Sequence, residues 1–352
     1  MILTIKVGTK LVMNEQVITK ICSEIANLHL NGNKVILVSS GAVALGRKKL
    51  NFYNSANLTQ KQALSSVGQI ELMKFYQSAF SGYGINIGQI LITYHDLNSN
   101  KSILNLRNTI YKLFDLRVLP IINENDATAT EEIKFGNNDI LAAMVSSTIF
   151  SEKLIILTDV DGIFKNFNTP QQELIRDVRN VDDVIKFLKG KQFDLSVGGM
   201  KTKIQAGYIS MKSGIECVIA NGFKDNIIAK VLSGDEGTRF VPEKGIKTLK
   251  ERFLILSKKK GSIIVDDGAV EAVRNRKSLL PVGIKEVIGK FSIGDVVFIQ
   301  DQRGKNIGIG ITNYSSSEVK KIKGIKSKEI GKILGISNFD EEVVHADNMI
   351  IL

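Results

Sequence analysis

Two lysines and one aspartate are the residues best suited to moving a phosphoryl group. Lys6 lies near the end of the apolar opening strand "ILTIKV", among Ile, Val and Leu. A lysine there either snorkels out at the strand end or aims into a cleft. Lys203 lies one turn into the helical pattern that follows "SVGGMKTK", and Lys201 adds a second cation. Gly198 and Gly199 would let backbone N–H groups approach a phosphate closely at that helix start, although a plain Gly-Gly turn has the same sequence. Phosphoryl transfer needs little beyond positioning and charge neutralisation, so lysines arriving from opposite sides suit it. Asp139 would hold such ammoniums apart and oriented, and Asp159, after "LIILT", would meet a nucleotide or Mg²⁺.

A second group is denser. Residues 122–139, "INENDATATEEIKFGNND", pack Asn123, Asn125, Asp126, Asn137, Asn138 and Asp139 around small residues. Asn, Asp and Gly are ordinary turn formers, so a solvated loop explains them as well as a ligand site does. Position tips the balance. The stretch follows the apolar strand "RVLPI", and similar polar turns follow other strands: Lys6-Val7-Gly8-Thr9, Ser39-Ser40-Gly41-Ala42 and Thr158-Asp159.

The elements that must position these residues alternate. "ILTIKV", "KVILVSS", "INIGQILIT", "VLPIIN" and "KLIILTD" read as strands, and helical patterns separate them, among them "EQVITKICSEIANLHLNG", which stops at Gly32. Such alternation predicts a mainly parallel sheet with helices on both faces and ligands beyond the carboxyl ends of its strands. After the basic linker "SKKKG" the pattern changes to short strands with turns, "SIIVDDGA" and "GDVVFIQDQRGKNIGIG", a small mostly β domain from about residue 262.

Composition narrows the classes. The 352 residues are 43% hydrophobic and 24% charged, enough for a large core in two domains. Cys22 and Cys217 have no C-x-x-C spacing, and His29, His95 and His345 are scattered, which argues against disulfides and a zinc site and for a reducing compartment. No apolar run would span a bilayer and no signal peptide is evident, so a cytoplasmic protein is expected. Of the net charge of +11, residues 262–352 contribute only +1, from 13 Lys and Arg against 12 Asp and Glu. The basic excess lies in the larger N-terminal part, without an arginine-rich run, which favours a nucleotide or acidic substrate over nucleic acid. "GAVALGRK" has two glycines at P-loop spacing, but Arg47 and Lys48 stand where that loop needs Lys then Ser or Thr, and no G-x-G-x-x-G follows the first strand.

"KVGT", "VSSGAVALG", "INENDATATEEIKFGNND", "LTDVDG" and "GGMKTK" together resemble the glutamate 5-kinase family of the amino acid kinase superfamily. "VDDGAVEAV", "SLLPVGI", "GDVV" and "VHADNMI" resemble its C-terminal PUA domain. The resemblance runs over essentially the whole chain, in order. It implies an α/β fold, a three-layer αβα sandwich with a mainly parallel open sheet, over residues 1–250, a linker at 251–261, and a PUA domain with a C-terminal tail at 262–352. It implies ATP-dependent phosphorylation of the L-glutamate side-chain carboxylate, with Mg²⁺, as the first step of proline biosynthesis. Lys6 and Lys203 fall on the phosphate-stabilising lysines, Asp139 on the acid that organises them, and Gly8 and Gly41 where amides face the phosphoryl group. Lys6, Thr158, Asp159 and the run Val197, Gly198, Gly199, Met200, Lys201, Thr202 and Lys203 fall on ATP-binding positions. Ser40, Asp126 and Asn138 fall on glutamate-binding positions, with Asn123 and Asn137 beside them. The groups that hold Mg²⁺ are left open.

The family also implies a homo-oligomer, feedback inhibition by proline and channelling to glutamyl-phosphate reductase. A sister kinase acting on N-acetylglutamate, aspartate or UMP is the alternative, and RNA binding through the basic "KKIKGIKSKEIGK" is disfavoured. The chain departs from the family at Asn137, where an acid is usual, at Ser196-Val197 in place of Gly-Thr, and in "IFKNFNTP". If the missing acid normally pairs with the substrate ammonium, glutamate binding is expected to be weaker or to lean on Asp126, since a charged hydrogen bond contributes about 1.5–3 kcal/mol against roughly 1 for a neutral one.

Overall fold

The computed structural model describes residues 1–94, 96–98, 100–128, 138–167, 169–187, 199–243, 248, 251, 254–255, 257 and 259–352. The chain divides into two compact units, Met1–Ile246 and Lys247–Leu352.

The first unit is built on one eight-stranded sheet. In chain order its leading elements are β1 (Ile2–Val7), α1 (Thr9–Val12), α2 (Glu15–Leu30), β2 (Lys34–Ser39), α3 (Ala42–Lys49), α4 (Leu58–Ser81), β3 (Ile87–Ile92), α5 (Asn100–Asp115), β4 (Leu119–Glu124), α6 (Asn138–Ile149) and β5 (Lys153–Thr158). The short β6 (Phe164–Lys165), β7 (Glu173–Leu174) and β8 (Asp177–Val178) follow, then α7 (Val181–Phe187), α8 (Met200–Lys212), β9 (Glu216–Asn221), α9 (Ile227–Ser233) and β10 (Thr238–Phe240). The sheet order is β3-β4-β2-β1-β5-β9-β10-β8. The six strands from β3 to β9 run parallel, and only the β9–β10 pairing is antiparallel. Their carboxyl ends therefore share one edge, and the chain order reverses about β1, with β2 on one side and β5 on the other. That reversal leaves a crevice at the ends of β1, β2 and β5.

Period-two alternation places the polar residues of β1. Ile5 and Val7 point into the core shared with α2, α4 and α9. Thr4 and Lys6 take the opposite face, where the Thr4 hydroxyl lies 2.8 Å from that of Ser151 and α6 packs on the strand. Helix α6 is buried along all twelve residues, including its polar Asn138, Asp139, Ser146, Ser147 and Thr148, so each of these needs a partner inside the protein.

Two glycines set how closely α3 approaches α4. A Cβ at Gly46 would fall 1.9 Å from the carbonyl oxygen of Leu64, and one at Gly68 would fall 1.8 Å from that of Ala42. The helices thus cross backbone to backbone. Helix α4 starts sharply because Asn57 and Gln60 exchange hydrogen bonds of 2.9 Å across its first turn.

The second unit has a five-stranded sheet ordered β12-β11-β13-β14-β15, from β11 (Gly261–Val265), β12 (Ile284–Gly289), β13 (Val296–Gln300), β14 (Asn306–Ile311) and β15 (Met349–Ile351). "SIIVDDGA", expected to be a strand and turn, keeps its strand to Val265, but its last residues open helix α10 (Asp267–Arg274), because the Asp266 carboxylate caps it by accepting from the Ala269 amide at 2.9 Å. No helix among the described residues is long and apolar enough to cross a membrane.

Gly46→Ala and Gly68→Ala are each expected to destabilise the first unit by about 1–3 kcal/mol, toward the upper end because backbone rather than side chain must move. Urea denaturation checks this; a loss below about 0.5 kcal/mol would show that the crossing relaxes freely.

Candidate active site

Three elements converge on one carboxylate. Asp139, in the first turn of α6, is fully buried, at 0% exposure. Lys6 of β1 places Nζ 2.5 Å from its Oδ1, and Lys203 of α8 places Nζ 3.1 Å from its Oδ2. Both lysines are themselves 6–7% exposed. The Thr202 hydroxyl also lies within reach of Oδ2, at 3.3 Å, and 2.7 Å from the carbonyl of Gly199. Burial alone would raise the Asp139 carboxyl, but the charges and hydrogen bonds of Lys6 and Lys203 outweigh it and hold the group below its ordinary value. The helix dipole acts in the same direction. One carboxylate between two ammoniums leaves a net charge of +1, pre-positioned for an anion.

Gly8 adjoins this cage. A Cβ there would lie 3.9 Å from Lys6 Nζ, and its amide donates to the Leu157 carbonyl at 3.1 Å. Gly41 has φ +107, a conformation glycine adopts without strain, and Val12 fills the space where a Cβ would go.

The asparagines form a directed relay. Asn138 Nδ2 donates at 2.7 Å to the Ser39 carbonyl, and lies 3.0 Å from Ser40 Oγ and 2.9 Å from Asn123 Oδ1. Asn123 Oδ1 also accepts from the backbone amide of Glu124 at 2.9 Å, and its Nδ2 donates to Gln69 Oε1 at 2.8 Å. A carbonyl can only accept and an amide N–H can only donate, so these backbone groups fix which end of each side chain is nitrogen. Two buried atoms, Asn138 Oδ1 and Gln69 Nε2, have no hydrogen-bond partner among the described residues.

Beside the relay is a cleft of about 470 Å³ lined by α4, β3 and residues 124–127. It contains two neighbouring acids. Burial, then the charge of Asp126, pushes Glu124 up to about 7. Burial also raises Asp126, against a hydrogen bond from Ser65 Oγ of 2.9 Å. Neither acid forms an ion pair among the described residues, so both would gain from a ligand cation.

At the carboxyl end of β5, Thr158 is buried and its hydroxyl donates to Asp159 at 3.1 Å. Burial disfavours the charged form of Asp159, but hydrogen bonds from Lys10 and Thr158 hold its carboxyl below the ordinary value. Gly199 precedes α8 without a side-chain cap, Met200 opens the helix, and Lys201 points outward as an exposed residue. The structure thus brings Lys6, Gly8, Asp139, Thr202 and Lys203 together, and Ser40, Asn123 and Asn138 together. Asp126 stands by the cleft. Asn137, Val197 and Gly198 lie outside the described residues. Among the described residues no group of three His, Cys, Asp or Glu is arranged to hold a metal ion.

Sequence reasoning missed Ser65, Gln69, Glu124 and Lys10. A signal existed for two of them. Ser65 and Gln69 are polar residues four apart, hence on one face, in a helix that buries Leu64, Gly68 and Leu72.

Residues 1–221 match the amino acid kinase family model and residues 261–334 the PUA domain model. The chain is 41% identical to a glutamate 5-kinase from Caldanaerobacter subterraneus subsp. tengcongensis, over 99% of this chain and 97% of that one. It is 42% identical to a glutamate 5-kinase from Kosmotoga olearia, over 99% and 98%. Among solved structures, N-acetylglutamate synthase from Neisseria gonorrhoeae is similar in fold, with TM-score 0.52 and 14% identity over 69% of this chain and 60% of that one.

Asp139→Asn leaves two buried ammoniums facing a neutral amide. It is expected to destabilise the fold by about 3–5 kcal/mol and to lower kcat by about 10² or more. Denaturation and steady-state kinetics read both, and an Asn variant as stable as the parent would exclude the ion pairs as an anchor. Glu124 gives a pH signature of known sign. Its folded value, about 7, lies above the ordinary 4.5, so its contribution to stability is full below pH 4.5 and is lost as pH rises to about 7. Without ligand, Glu124→Gln should therefore gain on the parent at pH 8 relative to pH 4.5. An unchanged pH profile would show that Glu124 ionises freely.

Proposed function

The chain belongs to the amino acid kinase family and, within it, to the glutamate 5-kinases, and from that premise we propose how its own residues pass the γ-phosphoryl group of ATP to the side-chain carboxylate of L-glutamate. The product is L-glutamyl 5-phosphate, in the first step of proline biosynthesis. The observation that carries this reading is Asp139 buried between Lys6 and Lys203.

The nucleophile is a carboxylate oxygen, already ionised at neutral pH, so no general base is needed. The obstacle is that an anion must approach a polyanion. The O–P bond forms at the γ-phosphorus as its bond to the bridging oxygen breaks, and ADP departs with that electron pair. Lys6 and Lys203 neutralise the phosphoryl oxygens in flight, and Asp139 fixes their separation while leaving the net positive charge. The Gly8 amide, expected to face the same group, is instead taken up by the Leu157 carbonyl, which leaves the Gly41 amide for that role. Thr158, Asp159 and the start of α8 from Gly199 to Lys203 hold the nucleotide. The residues fit a Mg²⁺ that would arrive on the nucleotide phosphates: both Asp139 oxygens face ammoniums, and among the described residues no group of three His, Cys, Asp or Glu is placed to hold an ion. Such an ion would neutralise the β- and γ-phosphate oxygens.

Ser40, Asn138, Asn123 and Asp126 hold glutamate. Asp126 and Glu124, raised by burial and without an ion pair among the described residues, favour an acceptor with a free ammonium, which N-acetylglutamate lacks. Asn137 would add a neutral acceptor where the family carries an acid. Homo-oligomerisation, inhibition by proline and hand-over of the labile acyl phosphate to glutamyl-phosphate reductase rest on the family alone.

With ATP and Mg²⁺, L-glutamate should be turned over in preference to N-acetylglutamate, aspartate and UMP. Preferential turnover of another acceptor would overturn the assignment. Lys6→Ala and Lys203→Ala should each lower kcat by about 10² or more; near-normal turnover in either would remove that lysine from the mechanism.

A further inference from the structure

We propose that Gln69 is a substrate-binding residue: its Nε2 donates to the α-carboxylate of bound glutamate while Asn138 Oδ1 accepts from the α-ammonium, so that the amide relay reads the zwitterionic head of the amino acid. This assignment rests on the reading of the site as a glutamate pocket and adds the group that recognises the α-carboxylate.

The polarity of the relay carries it. The Glu124 amide donates to Asn123 Oδ1, which makes the other end of Asn123 a donor, and that donor is met by Gln69 Oε1. Gln69 is thereby forced to present Nε2 as its remaining end. At the other end of the relay, the Ser39 carbonyl claims Asn138 Nδ2 and leaves Oδ1 over. The relay ends in one unused donor and one unused acceptor, both buried and both without a partner among the described residues. A buried polar group left unpaired is costly, so each end is suited to a ligand group of opposite character. A zwitterion supplies both. Its ammonium would meet Asn138 Oδ1 together with Asp126 and Glu124, which have no ion-pair partner among the described residues. Its carboxylate needs a donor away from those acids, and Gln69 Nε2 is one. Gln69 and both acids line the same cleft, whose volume falls in the range of small-molecule sites, about 300–1,000 Å³.

A purely structural role for Gln69 would require only Oε1, to hold Asn123. Gln69→Glu separates the roles, because it keeps an oxygen for Asn123 and replaces the unused donor by an acceptor. At pH 8, KM for L-glutamate should rise about 10- to 100-fold, as for a lost charged hydrogen bond, with KM for ATP within about twofold of the parent. L-isoglutamine, which keeps the side-chain carboxylate but has a neutral amide in place of the α-carboxylate, provides the second arm. The parent should prefer glutamate strongly over isoglutamine, and Gln69→Glu should abolish most of that preference. Gln69→Met, which removes both polar ends without adding charge, should also raise KM for glutamate and weaken the preference, and covers the case in which the glutamate variant does not fold. Variants that keep both the parent KM and the preference for glutamate would overturn the role, as would a loss of thermal stability or kcat with KM and preference intact, which is the pattern of a scaffold residue. Failure of the parent itself to phosphorylate glutamate would sink the acceptor reading and this one with it.

Discussion

The site depends on one buried carboxylate that must never be left alone. Asp139 has no access to solvent, and a lone charge in such a place would lose several kcal/mol of hydration. It is ionised only because Lys6 and Lys203 stand against its two oxygens. The three residues come from β1, α6 and α8, elements far apart in sequence, with α6 packed against both the strand and the other helix. The cage therefore exists only when the central strand and both helices are in register. The requirement is mutual. Two ammoniums brought together in a low-dielectric interior repel strongly unless a negative charge lies between them. The arrangement that makes the fold possible at this point is also the one that leaves a single positive charge for a phosphoryl group.

Much of this was legible in the sequence, for identifiable reasons. Lys6 stood out because a lysine in a strand otherwise made of Ile, Leu, Thr and Val has few ways to be satisfied. The strand–helix alternation gave a mainly parallel sheet, and that in turn gave the edge on which polar turns would gather. What was not legible is informative. Gln69 is 54 residues from its partner Asn123, on a helix whose buried positions recur every four residues like those of any packed helix. Only the close crossing of α3 and α4 at Gly46 and Gly68 brings that face over the relay, and a distance between two helices is not written in local spacing. Lys10 was missed for the opposite reason. It is an exposed lysine among many, and its bond to Asp159 spans 149 residues. In the second unit, "DDGA" was read as a turn because Asp and Gly are turn formers, yet the same aspartate is an N-cap, and the helix beyond it decides which role it plays.

The two halves of the site meet in consecutive residues. Asn138 belongs to the relay and Asp139 to the cage, and both occupy the first turn of α6. Neighbours in a helix point in directions about 100° apart, so one turn can address two compartments while holding them at a fixed separation. This solves a geometric difficulty of the reaction. In the proposed reaction glutamate would be gripped at its α-carbon end, whereas its reacting oxygen would lie at the far end of the side chain, toward the lysines. Flexible loops gripping the two ends separately would let the reacting oxygen wander, and misplacement by about 1 Å can cost about 10² in rate. A buried helix does not permit that freedom. Every residue of α6 is packed, so Asn138 cannot shift relative to Asp139 without moving the core of the first unit. On the proposed reading, the grip on the amino acid head and the charge that meets the phosphoryl group would thus be parts of one rigid body, and the length of the substrate side chain would become the quantity that the site measures.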